Sequence, residues 1–386
     1  MPGPHRDGAP PDGARATREE AEQLKLALLA SGLTITAPAA AALAVANGDR
    51  PLTPADYAST SGVILALEGT VWVNAPISLR NATLVEGTPF ALDHDGEGLV
   101  VRGPDIVARA EFWLPPAYHG QVGSDGRPLN NYVFTHGDRV RLAPMRGCAM
   151  TCKFCNIPYE DRYDTKPIAA MVEAVRVALD DPVQPARHML ISGGTPKAAD
   201  VEHMREVYRT VLTTFPDLDV DIMMVPVDGL FDLAELDALG VNELSINIEV
   251  HDATVAARLM RQKHRQGLDH YLRFIAEAAA VLGPGRVRSM LMVGLEDPAS
   301  TRRGVQAILD AGGVPVLSPF RPDPATPLRD MAVPEAALLA EVLEDATALA
   351  RAAGVALGPD CGPCSHNTLS APPADLPARY PRPVTV

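Results

Sequence analysis

The chain has 386 residues, 47% of them apolar and 5% aromatic, which is enough to bury a sizeable core and more than a typical single domain requires. Its 48 acidic residues against 34 basic ones give a net charge of −14, which weighs against a nucleic-acid partner, because phosphate binding draws on clustered lysine and arginine. No apolar run reaches membrane-spanning length, the amino-terminal segment lacks a signal-peptide core, and five cysteines are too few for a disulfide framework; the expectation is a cytoplasmic protein acting on a small molecule or a protein.

Residues 1–16 are rich in Pro and Gly and read as a disordered tail. A charged segment from Thr17 leads into an apolar helix that Gly32 stops, and Pro38–Asn47 reads as a second, alanine-rich helix. From Gly62 to about Val107, β-prone runs (VILAL, TVWVN, ATLV and GLVVRG) alternate with turn residues, so 17–116 reads as a small α+β module. From about Val140 the rhythm becomes strand, turn, helix. Candidate strands are Arg139–Leu142, His188–Ser192, Val220–Val227, Glu243–Val250, Val287–Leu295 and Val314–Pro319. Helical patterns between and after them include Ile168–Leu179, Asp200–Thr213, Leu233–Leu239, His270–Leu282, Ser300–Ala311 and Glu335–Ala353. This alternation predicts a parallel sheet with right-handed crossovers over 117–353, followed by a C-terminal extension at 354–386.

Directly after the first of these strands comes Arg146–Tyr159, RGCAMTCKFCNIPY. Cys148, Cys152 and Cys155 form a C-x3-C-x2-C array with Phe154 just before the last cysteine. Three close thiolates offer three corners of a metal or cluster site and leave a fourth position open. Half of a zinc knuckle would need a fourth ligand nearby, yet no histidine or cysteine follows within thirty residues, and the nearest upstream histidine is His136. The array resembles the signature of the radical S-adenosylmethionine (SAM) superfamily, in particular its biotin-synthase-like branch. That resemblance implies a partial (β/α)6 TIM-type barrel with reactive groups at the carboxyl ends of its strands. It also implies a [4Fe-4S] cluster on the three cysteines, with SAM bound at the free iron and cleaved reductively to a 5′-deoxyadenosyl radical. Hydrogen abstraction from a small biosynthetic substrate and an electron donor such as flavodoxin or ferredoxin follow from the same resemblance.

Further motifs extend it. Gly193-Gly194-Thr195 at the end of the second strand is similar to the element that contacts the SAM amino group, with Thr195 in place of the usual acid. On the fourth strand, alternation puts Ser245, Asn247 and Glu249 on one face, a polar stripe that inside a barrel either binds a ligand or forms a hydrogen-bonded network. The resemblance assigns Asn247 and Glu249 to the SAM ribose. It also implies an arginine for the SAM carboxylate among Arg258, Arg261, Arg265 and Arg273, of which Arg273 is the candidate, and an adenine contact at Gly294. Arg321, in a proline-rich turn ending Thr326-Pro327-Leu328, is a candidate either for an acidic substrate group or for a rim salt bridge.

The other two cysteines lie in Cys361-Gly362-Pro363-Cys364-Ser365-His366. Cys361, Cys364 and His366 have metal-ligand spacing but lack a fourth local ligand. The readings are an auxiliary iron–sulfur cluster, a structural zinc borrowing Asp360 or a distant histidine, and a redox dithiol. The first would admit sulfur insertion or methylthiolation; a non-catalytic metal-binding accessory protein is the alternative outside enzymes.

Overall fold

The computed structural model describes residues 15–57 and 62–373, so most of the expected tail lies outside the described residues. Helix α1 (Arg18–Ser31) begins at a capping box in which the Thr17 hydroxyl accepts the Glu20 N–H and the Thr17 N–H donates to the Glu20 carboxylate. After it come β1 (Thr34–Ile35), α2 (Ala37–Ala46), β2 (Gly62–Leu67), β3 (Val71–Pro76), α3 (Ser78–Val85), β4 (Ala91–His94), β5 (Leu99–Arg102) and β6 (Val107–Phe112). The strands form one sheet in the order β1-β4-β5-β6-β2-β3. The expected strand at ATLV is instead the last turn of α3, because the residues it buries, Asn81 and Val85, are four apart, a helical spacing rather than a strand one.

The second sheet starts with the antiparallel pair β7 (Val133–His136) and β8 (Arg139–Leu142). A small excursion follows through β9 (Met145–Arg146), α4 (Ile157–Glu160) and β10 (Asp164–Thr165). The chain then alternates: α5 (Ile168–Leu179), β11 (His188–Ser192), α6 (Val201–Thr214), β12 (Val220–Met223), α7 (Leu233–Ala238) and β13 (Glu243–Ser245). Three helices, α8 (Ala253–Leu259), α9 (Arg261–Gln266) and α10 (Leu268–Leu282), lead to β14 (Val287–Val293), α11 (Pro298–Asp310), β15 (Val314–Pro319) and α12 (Ala336–Ala352). Sheet order is β7-β8-β11-β12-β13-β14-β15, with β8 through β15 all parallel. Six parallel strands with helical crossovers make the partial TIM-type barrel that the sequence predicts.

Three strands end earlier than expected: β14 stops at Val293 rather than Leu295, and β12 and β13 stop for reasons seen in the backbone. Past β12, Pro226 has no N–H to give a ladder, and Val227 N turns back to Val225 O at 2.8 Å. Past β13, Glu249 adopts φ +62, so the simple alternation of Ser245, Asn247 and Glu249 is broken there and pairing survives as a single bridge to Leu291.

Strands β7 and β15 are the two ends of the sheet, so the barrel has an open side. The C-terminal segment runs along β15 there, with Gly358 N bonded to Pro315 O at 3.0 Å and Leu369 N to Leu317 O at 2.9 Å. The first sheet backs it: Asn74 on β3 donates to the Asn367 side chain at 2.9 Å, and buried Lys25 on α1 donates to the carbonyls of Ser365 and Ser370 at 2.9 and 2.6 Å. Arg80 on α3 reaches Asp323 at 3.0 Å and Glu160 at 2.5 Å, tying the same module to the loops at the carboxyl ends of the strands. No helix of the described residues is long and apolar enough to cross a membrane.

Candidate active site

The three loop cysteines sit just beyond the carboxyl end of β8. Cys152 is buried, while Cys148 and Cys155 are partly so. Two backbone amides point at the Cys148 sulfur, Thr195 N at 3.1 Å and Met150 N at 3.3 Å, and Thr195 O accepts Ala149 N at 2.9 Å in return. The loop can lie this close only because residue 194 is glycine: a Cβ there would stand 1.7 Å from Gly147 O. From the far side, Lys153 N donates to Leu259 O at 2.8 Å. Burial first, and the Glu249 carboxylate second, push the Cys152 thiol up to about 12; burial likewise pushes Cys155 up to about 11. Thiolates at these positions need compensating positive charge, which iron supplies. The residues fit the cluster.

Beneath the loop lies the polar end of β13. The Ser245 hydroxyl donates to Asn247 Oδ1 at 2.9 Å, and Met290 N donates to the same oxygen at 3.1 Å, so that oxygen braces β13 against β14. Glu249 is held in its left-handed conformation by Glu249 N to Met290 O at 2.8 Å and Met292 N to Glu249 O at 2.9 Å. Such a backbone costs about 1–3 kcal/mol and persists where surroundings fix it. Here the fixing partner is Lys263 from α9, buried, 2.8 Å from the Glu249 carboxylate and 3.1 Å from Asn247 O. A charged pair this deep is strongly disfavoured unless both partners stay.

A cavity of about 340 Å³ runs through the barrel from Phe154 and Asn156 on the cysteine side, past Ser245 and Met290, to Arg139, Arg288 and Cys364. Arg288 is paired with Asp221 at 3.1 Å and also with Glu243. Arg321 lines the cavity too; its Nη2 donates to Asn74 O at 2.6 Å, and its buried Nη1 has no hydrogen-bond partner. Burial pulls its guanidinium down to about 10, still a cation at neutral pH. The rim salt bridge is therefore not what Arg321 makes.

A family model described as the radical SAM superfamily matches residues 142–305, the stretch that holds the cysteine loop and strands β11 to β14. Residues 142–305 are a radical SAM domain. No curated protein matches it in sequence. Among solved structures, this radical SAM chain is similar to HydG, a maturase of the [FeFe]-hydrogenase (13% identity, 56% of this chain and 50% of that one, TM-score 0.43). HydG from Carboxydothermus hydrogenoformans gives 16% identity, 55% and 50% coverage and a TM-score of 0.42. A radical SAM methyltransferase from Sphaerobacter thermophilus gives 14% identity, 72% and 79% coverage and a TM-score of 0.44. The match spans about half the length of the HydG chains.

In this radical SAM protein the expected site residues fall into three groups. Phe154, Gly193, Gly194, Thr195, Ser245, Asn247 and Glu249 gather at the carboxyl end of the barrel around the cysteine loop. Gly294 lies just past β14, with φ +100, and a Cβ on it would stand 3.0 Å from the Pro334 ring. Arg273, by contrast, is exposed on α10, as are Arg258, Arg261 and Arg265 on or beside the preceding helices. The cation brought to the polar strand is Lys263 rather than an arginine; set in the polar run Arg261-Gln262-Lys263-His264-Arg265, it carries no sequence signal of burial.

The C-terminal cysteines meet two residues that sequence reading missed. Asp138, between β7 and β8, and His188, the first residue of β11, converge with Cys361 and Cys364, all four buried, their ligand atoms within 4.8 Å of one another. Although burial opposes it, Cys364 and Asp138 raise His188 to about 10; against burial, the Cys361 hydrogen bond and the charges of Arg139 and His188 lower Cys364 to about 5. His366, the expected third ligand, turns away: its Nδ1 meets Pro363 O at 2.5 Å, and burial lowers it to about 3. Residues 361–366 are wound into a tight turn, which carries His366 off the face that Cys361 and Cys364 share.

Proposed function

We propose that this radical SAM protein abstracts hydrogen from a small anionic molecule held in the barrel cavity. The observation that carries this reading is the cavity itself, which joins Phe154 and Asn156 beside the cysteine loop to guanidinium groups deeper in the barrel. Arg321 keeps an unpartnered Nη1 there, whereas Arg288 is already neutralised by two carboxylates. Arginine suits a carboxylate or phosphate, which it grips through two parallel N–H groups. A free acid with its reactive carbon turned toward the loop satisfies both ends of the cavity.

Cys148, Cys152 and Cys155 would hold the [4Fe-4S] cluster, which when bound supplies the electron for reductive cleavage of SAM. The chain's residues do the rest. Thr195 and Met150 amides orient the Cys148 sulfur. Ser245 and Glu249 would contact SAM beside the loop, with Glu249 fixed by Lys263. Apolar Met290, Met292 and Val316 line the cavity between the ends and exclude water from a radical path.

The test is deuterium transfer. Reduced, reconstituted protein with SAM and a pool of deuterated small acids should place deuterium in 5′-deoxyadenosine. Arg321→Gln should raise KM for the acid about 10- to 100-fold, the worth of a charge-assisted hydrogen bond. Transfer from neutral compounds alone, with acids inert, would sink the anionic reading.

A further inference from the structure

The Cys361-Gly-Pro-Cys364 turn is folded as a ligand knuckle, with Cys364 N donating to Cys361 Sγ at 3.4 Å. Its bed is built for it. Gly137 has φ +59, and a Cβ on it would stand 2.8 Å from Pro363 Cβ, so only glycine lets the turn reach Asp138. Arg187 N bonds to Asp138 O at 2.8 Å, fixing the backbones before His188 and at Asp138 to one another. The Gln184 amide secures Gly137 O. Asp138 and His188 stand at the amino ends of β8 and β11, the opposite end of the barrel from the Cys148 loop.

The interatomic distances discriminate among the metal readings. Zinc bonds of about 2.3 Å to sulfur and about 2.0 Å to nitrogen or oxygen imply tetrahedral edges of about 3.5 Å for sulfur–nitrogen or sulfur–oxygen and about 3.3 Å for nitrogen–oxygen. The edges here are 3.4 and 3.8 Å from His188 Nε2 to Cys364 and Cys361 Sγ, 3.9 Å from Cys361 Sγ to Asp138 Oδ1, and 3.2 Å from His188 Nε2 to Asp138 Oδ1. These four spacings fit ligands arranged about a single ion. A cluster would ask for more thiolate and more room, and a dithiol pair alone leaves the buried aspartate and histidine without a reason. Two thiolates, a carboxylate and a neutral imidazole around a divalent ion leave one negative charge, and the Arg139 guanidinium interacts with both cysteines.

The geometry points to a mononuclear zinc ion bound by Asp138, His188, Cys361 and Cys364, closing the amino end of the barrel. With four protein ligands the ion has no open position, so its work is structural. It staples the C-terminal segment across the open side, and that segment's Cys364, His366, Asn367 and Thr368 form part of the cavity wall.

The proposal is tested apart from radical chemistry in a Cys148→Ala/Cys152→Ala/Cys155→Ala variant, which has no loop site. Purified, it should hold one zinc per chain with no iron or sulfide, and cobalt(II) in its place should give tetrahedral ligand-field bands with thiolate charge transfer. Asp138→Asn on this background should weaken zinc at least about 100-fold against a competing chelator, the upper end of what losing even an outer-shell partner does. A folded variant that takes up neither zinc nor cobalt, an octahedral cobalt spectrum, iron with sulfide at the site, or a Cys361–Cys364 disulfide in the purified protein would each overturn it.

Discussion

Two groups of cysteines sit at opposite ends of one barrel, and their surroundings differ in kind. At the carboxyl end, three come from a single loop of eight residues, two of them partly exposed, and no fourth protein ligand joins them among the described residues. At the amino end, two cysteines join an aspartate and a histidine from separate strands, all buried, within 4.8 Å of one another. An incomplete ligand set beside a cavity keeps a coordination position for chemistry; a complete one spends every position on holding chain segments together. Ligand completeness, more than cysteine count, separates the reactive site from the staple.

The comparison breaks most visibly in metal content. Cys152→Ala should lose the loop iron while keeping about one zinc per chain, and Cys361→Ser should do the reverse, as read by elemental analysis of each purified protein. Loss of both metals in either variant would merge the two sites into one. Next in size, Lys263→Met strands the Glu249 carboxylate in the interior and should destabilise the fold by about 3–5 kcal/mol in urea unfolding, with the Lys263→Met/Glu249→Gln double variant recovering part of that. Gly194→Ala forces a Cβ onto Gly147 O and should cost about 3 kcal/mol while lowering iron uptake at the loop and leaving zinc unchanged; equal loss of both metals would mean global unfolding instead.

The smallest effect concerns pH. His119, packed beside Phe134 near the amino end, is kept neutral because burial lowers its pKa below the usual 6.5, against the pull of Asp56. The unfolded chain then binds the proton more readily, so stability is present above about pH 6.5 and falls as the pH drops below it, by less than about 1.4 kcal/mol per unit. Thermal melting between pH 7.5 and 5.5 should show this decline, and His119→Phe should lessen it, the remainder coming from other buried histidines such as His366.

Much of the barrel was legible because its signals are local. Strands β8, β11 and β15 have the bounds their apolar runs suggest, and the cysteine array lies within one loop. The module's helix α3 was hidden behind β-prone residues whose burial follows a helical period. The strained Glu249 carries no mark in the sequence, since alternation cannot announce a left-handed residue. Least visible was the amino-end site: Cys361 lies 223 residues from Asp138, and Cys364 lies 176 from His188, so only the closed barrel brings them together. A distant histidine was expected for these cysteines, but nothing in the chain distinguished His188 from His366.

The most direct measurement is 5′-deoxyadenosine formed from SAM by anaerobically reconstituted, dithionite-reduced protein, with and without a pool of small organic acids, in wild type and Cys152→Ala. Formation in wild type, raised by the acids and lost in Cys152→Ala, is the predicted result. Equal product from both proteins, or none from wild type with an intact reduced cluster and the full acid pool, would contradict the account.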